Sequence, residues 1–453
     1  MSGRDLTALI LASAVITLDG TAVTVALPSI GRDLGVPLRS LQWIGNAPLL
    51  MLAALLLSAG TLADRYGRLR VMRIGLGVFC AASAACAAAQ SDVVLIGARF
   101  VQGAGGALVL PGAVATLRAA YADPVERTRK FGLWAAGTGA AGAVGPLLGG
   151  ALADFLSWRA VFVVSAGVAA TAALLLERTR ADRGDGRMPL PLAGTAALIL
   201  LLGATTFLLI EGTTGGWASA PVLAAGLLVP TSLIVLARPA QRQALLPGEL
   251  LTARNCLAAN SATFAMYFGV FGLSFLLVLY TQQALGYSGG WAGASILPVS
   301  VMLFLAEPFG RMAARVGTRA PIVLGAVVAA AGILWLAAGG HPLAFWSRII
   351  VGTCLFGLGV SMATSALTHA AVSGVPEQCA GAASGFNHAT VRAAGVIAIA
   401  LLGSLAAGGR PEGISVDGFR QAMVSCGLLV ALVGIASGWR IRNDEPGGLQ
   451  PER

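Results

Sequence analysis

Lysine is almost missing from this 453-residue chain: all but one of its 30 basic residues are arginine, the exception being Lys130. Charge of either sign is scarce, at 11% of residues, whereas 57% are apolar. A soluble domain carries about a quarter charged residues, so this composition, with a mean hydropathy of +0.81, excludes one. Histidine is rare, and His369 and His388 stand alone without ligand spacing. The six cysteines, Cys80, Cys86, Cys256, Cys354, Cys379 and Cys426, lie mostly inside apolar runs. They show neither metal spacing nor a paired framework, and read as small apolar filler. There is no Gly-x-x-x-x-Gly-Lys phosphate loop to take ATP. No Ser/His/Asp cluster stands out and no outer loop is long enough for a domain, which argues against a membrane enzyme or sensor. The net charge of +10 does not point to nucleic acid, because the basic residues are scattered through short loops instead of forming a patch.

Long apolar runs are plentiful. Fourteen are expected to span a bilayer: 6–30, 41–62, 71–89, 93–117, 131–152, 158–176, 190–210, 219–237, 256–282, 291–309, 320–338, 343–367, 380–406 and 420–438. Each is about long enough to cross a ~30 Å core at ~1.5 Å per residue. The first contains Asp19 and no small-residue cleavage site, so it is expected to remain as a span. With the N-terminus placed in the cytoplasm, only Arg32, Arg39, Arg99, Arg159, Arg348, Arg410 and Arg420 fall in the outer half; every other basic residue is inside. That asymmetry sets the orientation, and an even number of spans puts both termini in the cytoplasm. The arginine bias fits a GC-rich bacterial genome, hence a bacterial inner membrane.

One stretch organises the rest. Gly60-Thr61-Leu62-Ala63-Asp64-Arg65-Tyr66-Gly67-Arg68-Leu69-Arg70 joins two apolar runs as a tight basic turn. A paler copy follows, in which Gly310, Ala313, Arg315 and Gly317 align with Gly60, Ala63, Arg65 and Gly67, and Ala314 replaces Asp64. At nearly the same offset, Leu34-Gly35 matches Leu285-Gly286, Pro48 matches Pro298 and Arg99 matches Arg348. A repeat this long is a duplicated half, and parallel six-helix repeats are one transporter plan. Helices 7 and 8 have no counterpart in either repeat. They sit between two polar connectors, Arg178 to Pro191 and Pro239 to Asn255, and are split by Gly212 to Trp217. The expected fold is all-α: a six-helix bundle (1–177), an inserted hairpin with connectors (178–255), a second six-helix bundle (256–440) and a tail (441–453).

These residues resemble the major facilitator superfamily, in its fourteen-helix drug:proton antiporter branch. Leu18-Asp19-Gly20-Thr21 through Ala26-Leu27-Pro28 resembles the branch's helix 1 signature, and Gly60 to Arg70 the superfamily's loop 2–3 motif. Arg99 to Gly106 resembles the helix 4 motif, and Gly145-Pro146-Leu147-Leu148-Gly149-Gly150 the helix 5 antiporter motif. Trp158-Arg159 with Phe162 resembles the start of helix 6. Asn387 and Arg392-Ala393-Ala394-Gly395 partly match an Asn…Arg-Gln-x-Gly pattern in helix 13. Pro48 departs from the branch's usual Tyr, and helix 13 has no acid, which speaks against broad divalent-cation export.

The resemblance implies a major facilitator fold and roles for particular residues. An ionised carboxylate mid-membrane costs roughly 2.5–3.5 kcal/mol, so Asp19 needs a partner, a cavity or a proton. It is a candidate proton-coupling group with Arg99, Gln102 extending the polar path; the rival reading is a fixed Asp19–Arg99 ion pair. Gly60, Asp64, Arg65, Gly67, Arg68 and Arg118 form a candidate cytoplasmic gate. There Asp64 pairs with Arg118 or caps a helix of the other half when that side closes, and the glycines allow close backbone approach. Gly145, Pro146, Gly149 and Gly150 are expected to pack helix 5 tightly. Glu307 is a second titratable candidate or an interfacial carboxylate. Phe264, Tyr267, Phe268, Phe271 and Phe275 form a stripe at helical spacing that contacts an apolar substrate or simply packs. Arg348 has no acidic mate, which leaves carbonyl bonding or snorkelling.

The activity implied is proton-coupled export of small amphiphilic compounds, such as drugs or antibiotics, by alternating access. The rival is a proton-coupled or facilitative importer on the same fold. No catalytic residue, metal or cofactor is expected; the expected partners are a small-molecule substrate, protons and the lipid bilayer, with the chain acting as a monomer. The topology is testable: a reporter fused near Gly184 should read cytoplasmic and one near Thr214 external. Both on one side would favour twelve spans.

Overall fold

The computed structural model describes residues 3–121, 123–177, 179, 191–238, 248–339, 344–376, 379–408 and 413–442. Fourteen helices there are long and apolar enough to cross a membrane, and no strand occurs among the described residues. They are α1 (Gly3–Leu34), α2 (Leu38–Tyr66), α3 (Arg68–Ala87), α4 (Asp92–Ala120), α5 (Pro124–Phe155), α6 (Trp158–Leu176), α7 (Leu192–Gly215) and α8 (Ala220–Ala237). Then come α9 (Arg254–Gln283), α10 (Gly289–Val316), α11 (Arg319–Ala337), α12 (Phe345–Val372), α13 (Ala380–Ala407) and α14 (Val416–Arg440). Helices prevail because lipid offers no partner to a backbone amide, so each segment must satisfy its own. Most of the connectors and the tail, including Gly184, lie outside the described residues.

The helices outrun the apolar runs. Residue 131 was the expected start of helix 5, but α5 begins at Pro124 because the Asp123 side chain caps it, accepting from the Val125 and Glu126 amides. The basic turn is also shorter than its sequence suggests. α2 continues to Tyr66 and α3 starts at Arg68, so the reversal rests on Gly67 alone, at φ +94°. A residue without Cβ adopts that angle freely, and one residue suffices. The copy behaves the same way: α10 carries Arg311 and Arg315 within a helix, and Gly317 turns at φ +86°. α7 runs past the expected break at Gly212 to Gly215, with the Trp217 ring folded back over Gly212. Two spans are irregular: α10 tightens to a 3-10 turn at Leu303–Leu305, and α12 opens with a π-turn at Phe345–Ile350.

The duplication is visible in the packing. In the first half α3 packs on α4 and α6, α1 on α5 and α6, and α2 on α4. The same five pairings recur in the second half as α11 on α12 and α14, α9 on α13 and α14, and α10 on α12. Even the close contacts repeat. A Cβ added at Gly75 of α3 would lie 2.8 Å from the Gly105 carbonyl of α4, and one at Gly325 of α11 would lie 2.5 Å from the Gly359 carbonyl of α12. Gly103 rests against the Pro48 backbone as Gly357 rests against Pro298 and Val299. Small residues let backbones touch where dispersion must replace the hydrophobic effect.

The two halves meet along α2–α13, α5–α10 and α1–α9. Both chain ends lie at one end of the bundle, where Thr179 donates to Asp5 (2.7 Å) and Arg254 donates to the Arg440 carbonyl (3.0 Å). The bonds joining the halves gather toward the far end. There Gln42 donates to the Ile399 and Ala400 carbonyls (3.0 Å each), Gln282 to the Val25 carbonyl (2.9 Å), and the Gly289 and Gly290 amides donate to Asp154 (2.9 and 2.8 Å). The inserted hairpin covers one side of this seam. Its α7 contacts both α2 and α13: Glu211 pairs with Arg39 (3.6 Å), Thr195 bonds Ser58, and Ser404 donates to the Leu209 carbonyl (2.7 Å).

Gly75 and Gly77 give an internal comparison on α3. A Cβ at Gly77 meets nothing within 4 Å. Gly75→Val should destabilise the protein by about 1–3 kcal/mol through overpacking, while Gly77→Val should not. Thermal melting in detergent reads the difference; equal melting of the two variants would mean that α3 and α4 do not touch at Gly75.

Candidate functional site

Asp19 and Arg99 are brought together in the interior of the first half. Both are buried, at 3% and 1% exposure, and they form an ion pair between α1 and α4. The pair is not alone. Gln102, one turn along α4 from Arg99 and therefore on the same face, accepts from the guanidinium (2.6 Å) and donates to Asp19 Oδ1 (2.9 Å) and to Ser83 Oγ (2.8 Å). Ser83 passes its own proton to the Phe79 carbonyl, Arg99 Nε donates to the Ile44 carbonyl (3.2 Å), and the guanidinium lies 5.6 Å from the Phe162 ring centre. Side chains and backbone from α1, α2, α3, α4 and α6 thus meet at one point. A buried charge pair is tolerated only when its surroundings supply hydrogen bonds, and here both carboxylate oxygens and the Nε and Nη1 groups of Arg99 have partners.

The sequence identified Asp19, Arg99 and Gln102 but missed Ser83 and the Ile44 carbonyl. A serine in an apolar run carries no signal of which face it takes, and a backbone carbonyl carries none at all. The second half has no equivalent: Gly269, which aligns near Asp19, packs against Phe356 and Val430. Arg348, the counterpart of Arg99, stacks on Trp335 with 4.5 Å to the ring centre.

The candidate gate residues make other contacts in this structure. Asp64 pairs with Arg68, one turn away at 3.2 Å, and not with Arg118, which is exposed. Arg65 lies over the Tyr66 ring. A Cβ at Gly60 would meet nothing within 4 Å, so Gly60 mediates no close approach here; Gly67 serves through its positive φ. Asp64 and Arg118 belong to the termini end, away from the hydrogen bonds that join the halves.

The helix 5 motif works as small-residue packing on two sides. Gly145 and Gly149 face α1, meeting Thr21 and the Ala22 backbone. Gly150 lies against the Gly289 backbone of α10, and the Pro146 carbonyl against Gly293. Each of these three glycines has a neighbour where a Cβ would go.

Glu307 is 82% exposed at its side chain and 3.9 Å from Arg311 on its own helix, so it is remote from the buried network. The α9 stripe divides. Phe268 and Phe275 are buried at 1% exposure and belong to the packing, with the Phe268 ring 6.1 Å from Phe264. Phe264, Tyr267 and Phe271 are half-buried. α9 packs against α1, α10, α12, α13 and α14, so these partly exposed side chains lie among the helices of the bundle. Thr364 of α12 and Arg392 of α13 share that intermediate exposure, and His388 is exposed. Below them, Asn387 donates to Asn260 Oδ1 (3.2 Å) and Thr263 Oγ1 (3.1 Å), tying α13 to α9. No group of three or more His, Cys, Asp or Glu suited to a metal occurs among the described residues.

Comparison with known proteins agrees with this architecture. The family model of the Major Facilitator Superfamily matches residues 9–400. The chain is 33% identical over 403 residues to the "Multidrug resistance protein Stp" of Mycobacterium tuberculosis, covering 87% of this chain and 74% of that protein. It is 33% identical over 407 residues to the "Cephamycin export protein CmcT" of Amycolatopsis lactamdurans, covering 87% and 84%. In fold it is similar to a crystal structure of the peptide transporter POT in complex with sulfate, with a TM-score of 0.73, 16% identity, and 97% and 96% of the two chains covered.

Because the Asp64–Arg68 pair is exposed, Asp64→Asn should change stability by about 0.5 kcal/mol or less. An unaltered melting temperature would show this; a large fall would mean that Asp64 holds the fold.

Proposed function

The chain belongs to the major facilitator superfamily, and from that premise we propose that it is a proton-coupled exporter of small amphiphilic compounds of the drug or antibiotic class. The two six-helix halves would rock about a central site, exposing it to each side in turn. The observation that carries this reading is the buried Asp19–Arg99–Gln102 network. A carboxylate held in the membrane interior by a single guanidinium is poised between two states. In this reading Asp19 takes the proton, which removes the charge that pairs with Arg99. The names of the relatives, resistance and export, favour export over the importer reading.

In this scheme the contacts of α5 on α10 and the bonds of Gln42 and Gln282 hold the far end, and break when that side opens. The excess of arginine at the termini end makes that side the cytoplasm of a bacterial inner membrane. Substrate enters there. A proton reaching Asp19 from outside loosens its hold on Arg99, and the halves can then change partners. As the cytoplasmic side closes, Asp64 exchanges Arg68 for Arg118 or for a helix end of the second half. The chain acts as a monomer, without cofactor or metal, does no chemistry on its substrate, and is driven by the proton gradient.

Asp19→Asn tests the proposal. Asparagine keeps the size and hydrogen bonds of the site but cannot exchange a proton. Proton-driven export into inverted vesicles should be lost while downhill exchange continues. A potential of about 100 mV supplies about 2.3 kcal/mol per charge, which sustains about a fortyfold gradient of neutral substrate per proton. That gradient should collapse in the variant. If expression falls in Asp19→Asn but both expression and active export return in Asp19→Asn with Arg99→Gln, Asp19 is a structural ion partner and the coupling assignment is wrong.

A further inference from the structure

Several arginines in the spans are occupied. Arg99 is paired with Asp19, Arg159 with Asp33 (2.6 Å), Arg73 donates to the Leu176 and Thr179 carbonyls, and Arg348 stacks on Trp335. Arg392 has no such partner although it lies at mid-span. It is the thirteenth residue of the 28-residue α13, near the middle of the span. Its side chain is partly exposed, and Tyr267 of α9 lies close enough for its charge to act on it. Among the described residues it has no ion pair and no hydrogen bond. Asp19 is engaged by Arg99 and Gln102, and Glu307 by Arg311.

The groups whose charge bears on Arg392 are Tyr267 of α9 and His388, one turn away on α13. Tyr267 lies beside the Thr364 hydroxyl of α12. Apolar rings bracket this set. Phe264 is one turn before Tyr267, and Phe271, one turn after it, packs its ring against Gly395 of α13. A fixed cation with five donors, partly exposed at mid-span and lacking an acceptor, is a site for an anion supplied from outside the chain.

We propose that Arg392 recognises an acidic group of the transported compound, so that the preferred substrates are amphiphilic organic anions, carboxylates above all. The carboxylate would meet the Arg392 guanidinium with Tyr267 and Thr364 at hand, and the apolar body would lie against Phe264 and Phe271. The guanidinium fork matches a carboxylate with two parallel hydrogen bonds, which an alcohol or an ammonium cannot accept. This substrate class rests on the reading of the chain as an exporter, but it is tested by binding alone.

The test uses the full chain in nanodiscs of zwitterionic lipid and three probes with one aromatic body: pyrenebutyrate, pyrenebutanol and pyrenebutylamine. Fluorescence titration should give pyrenebutyrate about tenfold tighter binding than the alcohol, the effect of one charge-assisted hydrogen bond, with the amine weakest. Arg392→Gln should bring butyrate and butanol to equal affinity while leaving butanol binding unchanged, which also shows that the variant is folded. Arg392→Lys should keep part of the preference. Equal binding of all three probes by the unaltered protein, tighter binding of the amine, or an undiminished butyrate preference in Arg392→Gln would overturn the proposal. If Arg392→Gln does not fold, the three-probe comparison on the unaltered protein and on Arg392→Lys decides. Repeating the titration with phosphatidylglycerol in the nanodisc separates the two sources of anion. Loss of butyrate binding there would assign the guanidinium to a lipid headgroup and overturn the substrate reading. Failure of proton-driven export in vesicles, with the butyrate preference intact, would count against the exporter and not against the site.

Discussion

An ionised carboxylate and a guanidinium buried together in the core of a membrane protein set terms for everything around them. Leaving either without a partner costs about 3–5 kcal/mol, so the pair persists only if its surroundings complete it. Gln102, Ser83 and the Ile44 carbonyl do so, and each arrives on a different element or turn. The consequence is mechanical as well as electrostatic. α1, α2, α3, α4 and α6 are held in register by one polar knot, and the first half can move as a unit. The second half reaches cohesion by another route: backbones in contact at Gly325 and Gly359, and at Gly332 and Gly352, with a smaller knot at Asn260, Thr263 and Asn387.

Between the halves the interaction is of a third kind. α5 lies with glycines against α1 on one side and against α10 on the other, so its far-end contacts are backbone on backbone. Such an interface has few interlocking side chains to undo. The bonds that do cross, from Gln42, Gln282 and Asp154, are neutral or partly exposed and sit toward the far end. Opening there costs hydrogen bonds that water can replace. α7 contributes on the lateral side, touching α2 and α13 together, so it covers the seam.

Much of this was legible in the residues, and the limits have physical causes. Apolar length fixes the number of spans, and the recurrence of Gly67 and Gly317 marks the duplicated turn, because a positive φ restricts the residue type. Asp19 and Arg99 announce themselves because charge is expensive in lipid. Three features were not legible. Helix ends extend past the apolar layer, as at Pro124, since charged residues in water sustain a helix already started. Gly60 looks like a packing residue but faces open space, because sequence does not record which residues meet a neighbour. The α9 stripe splits into buried Phe268 and Phe275 and half-buried Tyr267 and Phe271, since a central helix offers both environments on neighbouring faces.

The most consequential asymmetry lies between two charges that the repeat does not relate. The first half holds a neutral pair and the second an unpaired cation. If Asp19 carries the proton and Arg392 the anion, each site changes its net charge when loaded, and in opposite senses: Asp19 with a proton leaves Arg99 as a net positive charge, and Arg392 with a carboxylate becomes neutral. An exchange of one proton inward for one organic anion outward then moves two elementary charges in the same electrical sense. At about 100 mV each charge contributes about 2.3 kcal/mol, so the potential acts on such an exchange about twice as strongly as on export of a neutral compound. An exporter built this way would draw on the membrane potential through its substrate as well as through its proton, which gives a physical reason for keeping a guanidinium without a counter-ion in the membrane interior.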